Sequence, residues 1–159
     1  MAIFLQFEAQ LLTGKKISNE SEALEAMKVL HDKGVRIVIL SSTDFSSHGQ
    51  LMCLASQKDT ESQELRQARI EFPALPTHFV GTGDLFTALT TAWLQHDQFN
   101  IESALEKTIG TMQCVLNRTL KYAKSVGGEH PSPQQLELKL IQSRDDLLSP
   151  QVKIKATKI

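Results

Sequence analysis

The residues best suited to chemistry lie together in Phe79-Val80-Gly81-Thr82-Gly83-Asp84-Leu85-Phe86. Two glycines around a threonine at a helix start let the backbone come close to a ligand and point N–H groups outward, where the helix dipole also favours an anion. That is the makeup of a phosphate cradle. An aspartate directly behind it would repel polyphosphate unless it had a task, and taking a proton from an attacking hydroxyl is such a task. The same four residues also suit a plain tight turn followed by a helix whose first turn Asp84 stabilises, and the spacing alone leaves both readings open.

The other reactive side chains point elsewhere. His31, His48, His78, His96 and His130 share no ligand spacing and are expected at the surface or at helix ends. Cys53 and Cys114 lie far apart with no Cys-x-x-Cys, which excludes a disulfide framework and a structural zinc site and leaves two small buried hydrophobes. Trp93 and Tyr122, at helical spacing, read as packing.

At 159 residues the chain is expected to form one domain, and 41% hydrophobic residues suit a soluble globular protein. Lys plus Arg is 17 and Asp plus Glu 18, so no electrostatic footprint for nucleic acid or an anionic membrane is present, and neither is expected as a partner. The apolar runs 2–5 and 37–40 are far shorter than a bilayer span, and the start lacks the basic region of a secretory signal. A cytoplasmic chain is expected.

The elements that must position the glycine loop can be read from pattern. Residues 6–13 form a helix ended by Gly14, and Asn19 with Glu22 opens a second helix running to His31, with Ala23, Met27 and Leu30 inward. Gly34 stops it, and 35–40 is an aliphatic run of the kind buried on both faces of a parallel sheet. A polar turn over 41–49, strands at 50–56 and 65–72 joined by the turn at 58–63, and Pro73 with Pro76 come next. Residues 77–83 then lead into a helix carrying Leu85, Phe86, Leu89, Ala92 and Trp93. Asn100 caps a long helix whose apolar stripe (Ile101, Leu105, Thr108, Ile109, Met112, Leu116, Leu120, Ala123) runs until Gly127-Gly128. Ser132-Pro133-Gln134-Gln135 predicts a further helix to about Arg144, and the alternation at 152–156 an edge strand with solvated lysines.

The stretch FVGTGDLFTALTTAW, residues 79–93, resembles the signature of pyridoxal kinases within the ribokinase-like superfamily of small-molecule kinases. The resemblance continues through Glu106-Lys107-Thr108, Val115-Leu116-Asn117-Arg118-Thr119 and Pro131-Ser132-Pro133-Gln134-Gln135-Leu136-Glu137-Leu138. It includes Gln6-Phe7-Glu8-Ala9 and Leu11-Leu12-Thr13-Gly14-Lys15-Lys16-Ile17. It implies an α/β fold, the ribokinase-like three-layer α/β/α sandwich, and ATP-dependent phosphorylation of pyridoxal, pyridoxine or pyridoxamine at the 5′-hydroxyl. By it Asp84 is the catalytic base and Gly81, Thr82 and Gly83 form the anion hole for the γ-phosphoryl group. Glu8 matches the acid of the superfamily's Asn-x-x-Glu motif, which helps hold Mg²⁺. Ser41 matches a polar position near the ATP phosphates, and Phe72, Pro73, Ala74 and Leu75 fall in the nucleotide-contacting segment. A monovalent cation such as K⁺ and a homodimer are implied as well.

Two positions depart from the pattern: Leu5 stands where the motif has Asn, and Leu40 where a threonine precedes Ser41. The resemblance covers the second half of the family's chain, so residues 1–159 are expected to be the C-terminal, ATP-binding and catalytic-base half of the fold, with residues 1–5 an alternative start. On that reading the vitamin pocket, a flap over ATP and much of the dimer contact come from the other half. A chain that does not turn over and instead associates with full-length kinase is the alternative.

Overall fold

The structure, a computed structural model, describes residues 1–43, 45 and 49–159; His48 and part of the turn expected at 41–49 lie outside the described residues. They form two compact units, Met1–Ala74 with Lys155–Ile159, and Leu75–Ile154.

The first unit is a five-stranded sheet in the order β1 (Ala2–Phe4), β2 (Ile37–Thr43), β3 (Gln50–Lys58), β4 (Leu65–Pro73), β5 (Thr157–Lys158), with helices α1 (Gln6–Thr13) and α2 (Glu20–Asp32). Gly14 closes α1 at φ 68°, its N–H on the Gln10 carbonyl. Asn19 Oδ1 caps α2 by accepting the Glu22 N–H at 2.9 Å, while the Glu22 carboxylate returns to the Ser18 N–H rather than closing on Asn19. The apolar stripe of α2 meets Val38, Leu40, Met52 and Leu54 in one core.

Residues 37–40 are buried as expected, but the sheet is mixed: β2 is parallel to β1 and antiparallel to β3. A parallel neighbour after β2 would need a crossover of a dozen or more residues, and only residues 44–49 separate β2 from β3. His31 is a second correction to any surface placement. It is 3% exposed, with Nδ1 2.6 Å from the Val35 carbonyl and Nε2 2.8 Å from Ser56 Oγ. Burial pushes its pKa below the usual imidazole value, against the pull of the Val35 carbonyl.

The second unit packs α3 (Thr82–His96) against α4 (Ile101–Gly127), followed by a 3₁₀ turn (Ile141–Ser143) and α5 (Arg144–Leu148). Phe86, Leu89 and Leu94 meet the expected α4 stripe, to which the structure adds Val115 and Thr119; Ala92 is exposed. Tyr122 is 46% exposed and carries the Lys139 ammonium 4.2 Å from its ring centroid, so it is a surface platform rather than core. Gly110 is required by closeness, since a Cβ there would lie 2.7 Å from the Gln151 carbonyl oxygen.

The helix expected over 132–144 stops after one turn. Its cap forms, with the Ser132 N–H on Gln135 Oε1 at 2.7 Å, but the chain then spends its backbone on tertiary partners: Glu137 bridges Val80, and the Lys139 N–H donates to Thr119 Oγ1. The edge strand also sits later than 152–156, at Thr157–Lys158 against Ala68 and Arg69.

Between α3 and α4, Asp97 accepts hydrogen bonds from Lys107 Nζ, Ser103 Oγ and the His96 ring. Burial alone raises this carboxyl; those three partners outweigh it and hold the pKa at about 2. Because the unfolded carboxyl, at roughly 3.9, takes up its proton first, the stabilisation is full above about pH 4 and is lost as pH falls towards 2. Asp97→Asn is expected to cost about 2 kcal/mol at pH 7 and to flatten the acid-side decline, as read by urea denaturation across that range.

Candidate anion-binding loop and its neighbours

Residues 81–84 occupy the first turn of α3 in the second unit. Gly81 is the N-cap at φ 84°, a left-handed conformation that favours glycine, and the first helical hydrogen bond runs from the Leu85 N–H to the Gly81 carbonyl at 3.1 Å. The amides of Thr82, Gly83 and Asp84 precede that bond and have no acceptor within the helix. Gly83 differs from Gly81: it is exposed and helical, and a Cβ built on it meets nothing within 4 Å. Asp84 is exposed one residue on. One helical turn thus presents a positive dipole end, backbone donors, a residue with no side chain in the way, and a carboxylate. Together they can hold an anion and accept a proton beside it.

The candidates of the first unit lie on two features. Phe4 pairs with Leu40 at the end of the parallel β1–β2 ladder; α1, with Glu8, follows the carboxyl end of β1, and Ser41 lies within β2 one residue beyond that last pair, towards the strand ends where open α/β sheets place ligands. Glu8 is exposed and its Oε2 accepts the Leu5 N–H at 2.8 Å; Ser41 Oγ donates to the Phe4 carbonyl over 3.5 Å. Phe72, Pro73 and Ala74 end β4 and continue from it, with Phe72 buried and the Ala74 N–H on the Gly49 carbonyl. Leu75, half-buried, belongs to the second unit.

Among the described residues no three His, Cys, Asp or Glu side chains gather as a metal site, and no helix is long and apolar enough to cross a membrane. Burial pushes both thiols up, Cys53 in β3 strongly and Cys114 on α4 with help from Asp146, so neither is a ready nucleophile. What the pattern of residues did not assign is the role of 137–138. Glu137 pairs with Val80 directly before the loop, and Leu138 Cδ1 lies 3.9 Å from where a Gly81 Cβ would stand.

No family model matches the chain. Pyridoxal kinase of Bos taurus is 44% identical over 160 residues, covering 96% of this chain and 51% of the relative. Among solved structures, pyridoxal kinase from Trypanosoma brucei is 27% identical with a TM-score of 0.81, covering 99% of this chain and 50% of that one. Pyridoxal kinase from Leishmania donovani, solved in complex with ADP and pyridoxamine, is 23% identical with a TM-score of 0.87, covering 99% and 51%. The α/β fold is ribokinase-like. This chain is homologous to pyridoxal kinases over nearly all of its length, spans about half the length of the curated relatives it matches, and fits their C-terminal half.

Proposed function

We propose that the chain serves ATP-dependent phosphorylation of pyridoxal, pyridoxine or pyridoxamine at the 5′-hydroxyl, contributing the part of the site that holds the transferring phosphoryl group and takes the hydroxyl proton. In this reading the amides of Gly81, Thr82 and Gly83 receive the phosphoryl oxygens and Asp84 is the base. Phosphoryl transfer asks a protein mainly for positioning and charge stabilisation, which this turn is built to supply. Ser41 and residues 72–75 contact the nucleotide. Mg²⁺ arrives with the phosphates, and Glu8 suits a water-mediated hold on it, since Oε2 is spent on the Leu5 N–H and Oε1 remains for a metal-bound water. A monovalent cation such as K⁺, pairing of chains as a homodimer and a cytoplasmic setting belong to the same proposal, as does the role of residues 1–159 as the C-terminal part of the kinase domain.

The observation that carries it is Gly83. The fold has no need of glycine there, because its backbone is helical and the space beside it is open; a ligand approaching the backbone does need one. Gly83→Ala is therefore expected to keep or slightly raise stability, alanine being better in a helix by about 1 kcal/mol, while weakening MgATP binding several-fold. Calorimetric titration of both forms decides it, with wild-type affinity expected at roughly 0.1–1 mM. Equal affinities would remove the anion role from this turn.

One observation favours a second reading, association with a longer kinase chain without turnover. Helix α1 turns its large apolar side chains outward, Phe7 at 64% and Leu11 at 69% exposure, as a docking face does.

A further inference from the structure

We propose that Leu138, carried by the segment 135–139, is a positioning residue for the anion-binding turn: it sets where the amides of residues 82–84 stand. The inference rests on the proposed phosphate role of that turn and adds what holds it in place.

Three observations point to it. Val80, the residue before the turn, pairs in parallel with Glu137. Leu138 is seated behind Gly81, its Cδ1 3.9 Å from the position of a Gly81 Cβ. The segment itself is tied to α4 on both sides of Leu138. Upstream, the Gln135 amide packs on Gly127, where a Cβ would collide with it, and Leu136 is buried. Downstream, the Lys139 N–H donates to Thr119 Oγ1 at 3.1 Å, Thr119 being buried on α4 and bonded to the Val115 carbonyl. A left-handed N-cap at Gly81 has no Cβ of its own to lean on a neighbour. Leu138 supplies that support from the other side, and α4 becomes the reference against which the loop is held. Removing the side chain leaves a gap behind Gly81 and lets the turn relax into it.

The test compares the full chain with Leu138→Ala, Leu138→Met and Ile101→Ala. Ile101 is buried at the opposite end of the α3–α4 pair and serves as a control for simple loss of packing. Backbone amide shifts of residues 81–84, recorded without ligand, should move in Leu138→Ala, stay near wild type in Leu138→Met, and stay unchanged in Ile101→Ala despite its lower melting temperature. The MgATP dissociation constant should rise about five- to tenfold in Leu138→Ala alone, as when one well-placed hydrogen bond to a phosphate oxygen is weakened, with adenosine binding unaffected. Unmoved amides in Leu138→Ala, or the same shift pattern in Ile101→Ala, would overturn the positioning role. Failure of the wild-type chain to bind MgATP at all would count against the phosphate reading instead, and the ligand-free shifts would still decide for or against Leu138.

Discussion

Asp84→Asn is expected to lower the turnover of pyridoxal by about 10²-fold or more while leaving nucleotide affinity nearly unchanged, when the chain is assayed together with a polypeptide matching the part of the relatives it does not span. The substitution keeps size and hydrogen-bonding ability and removes only the capacity to accept a proton. If Asp84 merely stabilised the first turn of α3, its replacement would cost a few tenths of a kcal/mol of helix stability and nothing in rate. The two readings left open by the spacing are thereby separated in one variant: an unchanged kcat would end the base assignment. The chain by itself is expected to show no turnover. By the resemblance, the vitamin pocket and the flap over ATP come from the part of the relatives that this chain does not span. Turnover by the 159-residue chain alone would show that it encloses the vitamin without help.

The parts of the molecule that were legible in the sequence are those decided locally. Gly14 ends α1, Asn19 and Asn100 open α2 and α4, and the glycine loop sits at the start of α3, because each depends on the backbone preferences of one or two residues and on a cap within three positions. Where partners far apart in sequence decide, the pattern misleads. Ser132 and Gln135 form the cap that their spacing promises, yet Glu137 and Lys139 are claimed by Val80 and Thr119, and the helix ends. The direction of β3 followed from the brevity of the connection to it, not from the composition of β2. His31 stands in the last turn of α2, one of the two places expected of it, but its burial was not legible because nothing nearby in sequence announces Ser56, 25 residues away.

The same limit explains α1, whose ends were legible and whose orientation was not. Gln6 and Gln10 face inward and clamp the buried Ile17, the Gln6 amide donating to its carbonyl and Gln10 Oε1 accepting its N–H, both at 2.8 Å. The helix cannot roll over without breaking both bonds, so Phe7, Leu11 and Leu12 stay in water, next to the half-exposed Leu5. Beside them β1 pairs only with β2 among the described strands, which leaves its other edge open to a further strand. A few hundred Å² of apolar surface, at roughly 25 cal/mol per Å², is worth several kcal/mol to any partner that covers it. The wild-type chain is therefore expected to self-associate at tens of micromolar in the absence of a longer kinase chain. Phe7→Glu with Leu11→Glu should render it monomeric by sedimentation velocity with an unchanged far-ultraviolet spectrum, because neither side chain supports the glutamine clamp. Capture by full-length pyridoxal kinase should be lost in the same double variant. A wild-type chain that stays strictly monomeric at about 100 μM, on the scale where micromolar association corresponds to about 8 kcal/mol, would mean that this face, however apolar, recruits no second copy.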